Sequence, residues 1–421
     1  MIRLLIFLVF ASSTSLAADW PHWLGPNYDG KSAESLPEKV DLSKRAWTAE
    51  IGIGFSTVSI VSGRVYTMGH EGGKETVWCL SESEGSVIWS DSYPAELMPN
   101  LHEGGPGSTP TVDGDRVFTI SKDGQFRVYE TTNGKFLWSK NLMELSGLRR
   151  PPEWGFTGSP VIHGDLVLVE AGATFAFEKA SGELRWKSQD YRPAYGSAQI
   201  FAVGGRSYIA TLKTDGLVIL DVENGETLGF SMWRTSFQTN STTPLDMSEG
   251  KLFISTGYDQ GCALFQFDGS TLTKLYENKN MCNHMGNSVL IEGKLYGFDG
   301  TAHRGRPVEF ACIDAGTGEK LWHFPDLKYG SVIAAGKDLV VLTETGEMLI
   351  GEASPKGFEA RARRQVLRGR CWTPPVIANG KIYARNAAGK LVVIGVGEYG
   401  IYAIKRGDAL VVGSPSRLFV R

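Results

Sequence analysis

Cysteine is scarce and poorly placed for chemistry: there are five in 421 residues. None stands in a CxxC or CxxCH spacing, so a thioredoxin-like redox pair, a zinc ribbon and covalently attached c-type haem all lack their ligands. The odd count leaves at least one thiol unpaired within the chain. No GxSxG, HExxH or GxxxxGK[ST] occurs, which removes the local signatures of α/β-hydrolases, zinc proteases and phosphate loops. Gly316-Thr317-Gly318-Glu319-Lys320 reads as a hairpin turn. Charge of neither sign dominates: a formal net charge of −3 offers no bulk attraction to nucleic acid or another polyanion. Beyond the first residues no apolar run is long enough to cross a bilayer, so stable membrane insertion is not expected.

The one strongly apolar run is at the start. Arg3 precedes the apolar residues 4–10, and a small-residue stretch ends at Ala17-Ala18. This is the pattern of a secretory signal over residues 1–18, with cleavage after Ala17 or Ala18. No cysteine precedes Cys79, so there is no lipidation box, and a periplasmic or secreted protein is expected.

What the chain has in abundance is glycine, 51 residues, with 11% aromatics, a composition suited to many turns around an all-β core. Residues 107–138 show the pattern most clearly. A small Ser-Thr-Pro run leads through Asp-Gly to a second apolar run; Asp123-Gly124 leads to a third, and Thr131-Thr132-Asn133-Gly134 to a fourth that ends in Trp138. Four short runs rich in Val, Ile, Phe and Tyr, bounded by turn residues, predict four antiparallel strands. The unit recurs about every 45 residues, the period of a β-propeller blade.

First strands are expected at Ser56, Ser108, Ser159, Ser197, Ser241, Ser288, Ser331 and Thr373, which makes eight blades over residues 45–396. Tryptophans 47, 89, 138, 186 and 322 mark blade ends, spaced by 42, 49, 48 and 136 residues. The last gap is three periods, with Phe230 and Tyr276 near the two vacant positions and Val366 ending the seventh blade. Trp47 closes a strand that has no earlier partners, so it is expected to complete the eighth blade and remove the open sheet edges. Residues 19–44 read as an irregular arm whose tryptophans pack on the body. Residues 397–421 read as an extra hairpin or a competitor for the closing edge. Cys79 and Cys312 fall on equivalent third strands and read as small core hydrophobes; Asn240 reads as turn chemistry.

The turns from Thr131 to Trp138, from Lys179 to Trp186 and from Asp314 to Trp322 resemble the A-x-D-x-x-T-G-x-x-x-W docking motif of the pyrroloquinoline quinone (PQQ) repeat family. Trp20-Pro21 with Trp23, Gly25 and Pro26 is similar to the opening of its secreted bacterial members. In this motif the glycine permits a positive φ, and the tryptophan buries a large side chain on the next blade; Trp47, Trp89, Trp138, Trp186 and Trp322 are the structural docking residues it implies. The family includes quinoprotein dehydrogenases, which carry PQQ and Ca²⁺ beneath a disulfide of adjacent cysteines, and the cofactor-free propeller of outer-membrane barrel assembly. No two cysteines are adjacent here, so no cofactor is expected. PQQ with calcium, in an alcohol- or sugar-oxidising quinoprotein, is the alternative.

Function is expected on the face formed by the loops that join each fourth strand to the next first strand. These bring His102, Glu103, Arg149, Arg150, Trp154, His284 and Asn287, with His70 and Arg304 from neighbouring loops and Arg370 and Trp372 before the last blade. Guanidinium groups can hold carboxylate or phosphate bidentately, the two tryptophans can stack a flat ligand, and His102 with Glu103 is a candidate acid–base pair. No metal-ligating set is expected. The expectation is a binding or scaffold module for a small anionic ligand or an envelope protein.

Overall fold

The computed structural model describes residues 18–325, 327–396, 402–406 and 409–413. Eight four-stranded antiparallel sheets follow one another around a ring, an all-β propeller with one short helix, Leu142–Ser146. Blade one is Ser59–Val61, Arg64–Glu71, Lys74–Ser81 and Val87–Pro94. Blade two is Thr111–Asp113, Arg116–Ile120, Gln125–Glu130 and Phe136–Asn141. The middle strands carry the core. Gly216–Asp221, all apolar but for its last residue, is buried at every position, because each of its faces packs on a neighbouring blade. The Ser and Thr openers lie within four residues of the first ordered strand residue, and they clasp blade to blade. The Ser159 hydroxyl accepts from the Thr109 N–H at 2.9 Å, and the Ser197 hydroxyl from the Ser159 N–H at 2.8 Å. Small residues are needed there because first strands crowd at the axis.

The docking tryptophans work as one repeated joint. Each indole N–H donates to a backbone carbonyl on the following blade: Trp47 to Glu82, Trp89 to Thr131, Trp138 to Lys179, Trp186 to Val222 and Trp322 to Ser354. For Trp47, Trp89, Trp138 and Trp186 the ring then packs on the turn glycine three residues further on; Trp322 has no glycine beneath it. A Cβ built on Gly182 would stand 2.7 Å from the Trp138 ring, and its φ is +72°, so glycine is required twice over. Tyr276 takes the same role, its hydroxyl donating to the Ala315 carbonyl at 3.1 Å. Phe230 does not: it holds the equivalent register opposite Val218 but is 50% exposed. Blade seven also departs from the pattern. Its last strand, Ala362–Gln365, ends before Val366 and carries no docking ring. Cys79 and Cys312 sit opposite Trp89 and Trp322 and are fully buried.

Ring closure is made by Arg45–Glu50, which pairs antiparallel with Lys390–Gly395 as the outer strand of blade eight. Tyr402–Arg406 and Ala409–Gly413 pair with one another, so the tail does not compete for that edge. The remainder of the tail, and the signal segment up to residue 17, lie outside the described residues.

The arm does more than pack on the body, because it runs across the inner strands at the end of the axis opposite the long loops. Trp20 exchanges backbone bonds with Ile60, the Pro21 carbonyl accepts from Val112, and the Tyr28 hydroxyl accepts from the Ile162 N–H. Trp23 donates to Thr243, Lys31–Ser32 pairs in parallel with Gly330–Ala335, and the Glu34 carboxylate accepts from the Asn379 and Gly380 N–H groups. With Lys31 Nζ donating to the Leu290 carbonyl at 3.4 Å, the arm reaches blades one, two, three, five, six, seven and eight, and satisfies inner-edge backbone groups that would otherwise face the channel.

Candidate functional site

At the opposite end the channel opens into a funnel, and all eight loops joining one blade to the next place a ring there. These are Phe55, His102, Trp154, Tyr195, Phe237, His284, Tyr329 and Trp372. Many of them touch. Trp372 stacks on Phe55 at 5.9 Å, Phe55 meets His102 edge-on at 5.1 Å, and His102 stacks on Trp154 at 5.4 Å. The Tyr195 hydroxyl is bonded by the Trp154 backbone. On the other side Phe237 contacts Tyr258 at 4.9 Å, Tyr258 contacts His284 at 5.0 Å, and Tyr329 bridges His284 and Trp372 at 6.1 and 6.2 Å.

Charges stand on this girdle. The Arg370 guanidinium lies 4.3 Å from the Trp372 ring centroid and pairs with Glu103 at 2.8 Å, while Arg304 lies 4.1 Å over Phe237. Glu344 accepts from the Trp372 indole at 3.3 Å and meets His303 at 3.2 Å. Such a surface, flat rings with cations above them, suits a ligand that has both apolar faces and negative charge.

Two of the funnel histidines, His102 and His284, are held neutral. Burial pushes His102 down to about 4, helped by the charges of Lys122 and Arg370. Burial does the same to His284, also to about 4, helped by His303. The His284 Nδ1 accepts from the Ala302 N–H at 3.3 Å, so its Nε2–H is assigned as donor to the Tyr258 hydroxyl at 3.1 Å. The sign of the resulting pH dependence follows. Unfolded histidine protonates near 6.5 and these two only near 4, so the unfolded state binds more protons between those values. Their contribution is complete above pH ~6.5 and is lost as pH falls toward ~4. His284→Gln, which keeps an acceptor and a donor but cannot titrate, should therefore flatten the fall in urea midpoint between pH 6.5 and 4.5. Parallel curves for parent and variant would contradict the assignment.

The structure sorts the expected site residues. His102, Trp154, His284, Arg304, Arg370 and Trp372 share the girdle. Glu103 joins it through Arg370 and makes no bond to His102, whose Nδ1 accepts from Gly104 N–H at 2.9 Å; the expected acid–base pair is not formed. Asn287 is consumed by the backbone of Thr243, both accepting from it and donating to it, so it clasps blades five and six. Arg149 and Arg150 are exposed beyond the helix Leu142–Ser146 and make no ion pair among the described residues. His70 lies outside the funnel, bonded to the Ala95 carbonyl at 3.1 Å on a cleft between blades eight and one.

Phe55, Tyr195, Phe237, Tyr258, Tyr329 and Glu344 escaped the sequence reading. A signal existed: each of the eight loop rings stands one to six residues before a Ser or Thr opener.

A quinone bound beside calcium would need converging oxygen ligands. Among the described residues no three His, Cys, Asp or Glu side chains are grouped to hold a metal ion, and the five cysteines are buried and free.

A family model described as outer membrane protein assembly factor BamB matches residues 39–198. The BamB of Bordetella pertussis is 25% identical over 86% of this chain and 90% of its own length. Among solved structures, BamB from Moraxella catarrhalis superposes with a TM-score of 0.62 at 18% identity, covering 83% of this chain and 98% of that one. Quinohemoprotein alcohol dehydrogenase from Comamonas testosteroni gives 0.64 at 12%, covering 94% and 82%. At those identities the structural likeness shows the fold alone. With the docking motif, the eight blades and the family match over residues 39–198 in agreement, this chain is similar to the PQQ-repeat β-propeller proteins.

Proposed function

We propose that this chain is an exported, non-catalytic binding scaffold whose funnel face holds an acidic, aromatic-bearing segment of an envelope protein or a small anionic ligand. The observation that carries this is the girdle itself: rings from all eight inter-blade loops, with Arg370 held over Trp372 and steadied by Glu103. An anion that takes the guanidinium from Glu103 gains a charge-assisted bond while its apolar part covers half-buried rings. The BamB relatives, named as outer membrane assembly factors, support a scaffold role over catalysis.

The test is intrinsic tryptophan fluorescence on the full chain, titrated with acidic peptides that contain Phe or Tyr. Arg370→Ala and Trp372→Ala should each weaken binding by roughly tenfold or more, about 1–2 kcal/mol for a charge-assisted contact at a half-exposed site, and added salt should weaken it further. Peptides that bind equally to both variants would remove the funnel from the account. In the same assay, PQQ with Ca²⁺ should leave no stoichiometric quinone absorbance after desalting and no dye-linked alcohol or aldose oxidation. A one-to-one complex that reduces dye would replace the scaffold with a quinoprotein oxidoreductase.

A further inference from the structure

Among the described residues three lysines are buried, and two of them end on carboxylates: Lys213 on Glu170, and Lys381 on Glu82 at 2.8 Å. The third, Lys122, is different. It sits in the turn between Arg116–Ile120 and Gln125–Glu130, on the funnel side of blade two, and is 2% exposed. Its backbone is fixed at both ends, the N–H donating to Glu75 at 3.0 Å and the carbonyl accepting from Phe156 at 3.0 Å. Its stem runs beneath the loop that carries Trp154, for a Cβ on Gly155 would lie 2.7 Å from Lys122 Cδ. Yet Nζ makes no hydrogen bond or ion pair among the described residues, and it is not among the sealed polar atoms. Burying an amine without a partner is unfavourable, and the charge of this one acts on His102 of the funnel girdle.

We propose that Lys122 is a carbonyl-capturing amine in the funnel, taking aldehydes reversibly as an imine. The Nζ lone pair attacks the carbonyl carbon, a C–N bond forms, and the proton lost from nitrogen goes to the former carbonyl oxygen to give a carbinolamine. Loss of water then yields the imine, with no oxidant or reductant involved. The chemistry needs a neutral amine, and burial, opposed by the attraction of Glu75, pushes Lys122 down to about 8, so near pH 8 about half of it is nucleophilic. The nearby His102 ring, stacked on Trp154, suits an aryl aldehyde. This goes beyond the scaffold reading and stands or falls separately from it.

The experiment treats the full-length protein with benzaldehyde and sodium cyanoborohydride, which reduces only the imine, and maps the benzyl mark by peptide mass spectrometry. At pH 7.5 Lys122 should be marked roughly tenfold or more faster than exposed lysines, following its larger neutral fraction, and its rate should level off above pH 8. Lys122→Met, which keeps the stem, should remove that mark without lowering the melting temperature. Should that variant not fold, the pH profile of the mark on the parent protein still decides. A mark spread over exposed lysines such as Lys135 and Lys337, with Lys122 untouched in folded protein, overturns the proposal, as does a Lys122 rate that climbs unchanged to pH 10.

Discussion

Removing residues 19–50 should abolish cooperative unfolding and send the protein into aggregates, whereas removing residues 397–421 should shift the melting curve little. The first truncation strips the outer strand of blade eight, leaving the Lys390–Gly395 edge bare. It also takes away Trp47, 8% exposed, and the arm, including Trp20 at 2%. Truncating a buried tryptophan removes about 3–5 kcal/mol, and each lost ladder bond about 0.5–1.5 kcal/mol. With two such tryptophans and a six-residue strand gone, the loss is comparable with the whole stability of an ordinary domain, about 5–15 kcal/mol. A shorter truncation, residues 19–44, separates the two contributions: the ring should stay closed, but the inner edges of Ser59–Val61 and Gly330–Ala335 are uncovered, so an intermediate loss is expected. Differential scanning calorimetry and light scattering on the three variants check the ranking. Equal melting of the full chain and the residue 19–50 deletion would mean that ring closure does not depend on this strand.

The second large effect is expected at Arg385, on the seam where the ring meets itself. This guanidinium is 2% exposed and faces no carboxylate among the described residues. Its Nη1 donates to the carbonyls of Ser56 at 2.7 Å and Met68 at 2.8 Å, and its Nη2 to that of Gly52 at 3.0 Å. Blade eight is thereby bound to the strands and connecting chain of blade one. Arg385→Ala takes the guanidinium donors from three carbonyls, leaving Ser56 only the Thr67 hydroxyl at 3.4 Å, and opens a void where the side chain ran. At ~1–3 kcal/mol for each orphaned group, offset in part by relaxation and water entry, a net loss of about 3–6 kcal/mol is expected. Arg363→Ala, whose partner Glu347 lies at the surface, should change stability by less than about 1 kcal/mol. Urea midpoints measure both, and a loss at Arg385 no larger than that at Arg363 would show that the seam holds without it.

Several features were legible before any coordinates. The blade count, the closing strand and the docking joints follow from local patterns: a turn glycine, then a tryptophan four residues later, at a steady period. Each such joint needs only its own few residues and the blade beside it, so the sequence displays it directly. Phe230 shows the limit of the argument, since a large apolar side chain at the right register is still left outside when its ring does not seat on the next turn. The arm shows another. Its tryptophans announced burial, but nothing local in Trp20, Trp23 or Lys31–Ser32 says that their partners are drawn from blades one, five, six and seven.

The funnel divides along the same line. His102 and Glu103 are neighbours in the chain and were paired on that ground, yet the structure turns one to Phe55 and Trp154 and the other to Arg370, 267 residues away. Asn287 resembled a site residue and is a backbone clasp, while Tyr329, silent in the sequence, holds the Met285 and Gly286 N–H groups and touches two other girdle rings. By itself the sequence determined the repeat, and through it the propeller, because strand periodicity and turn chemistry act over a few residues. Only the tertiary structure decided the site, because ring closure brings eight separate loops to one axis, and which side chains then meet depends on blade geometry that no local spacing records.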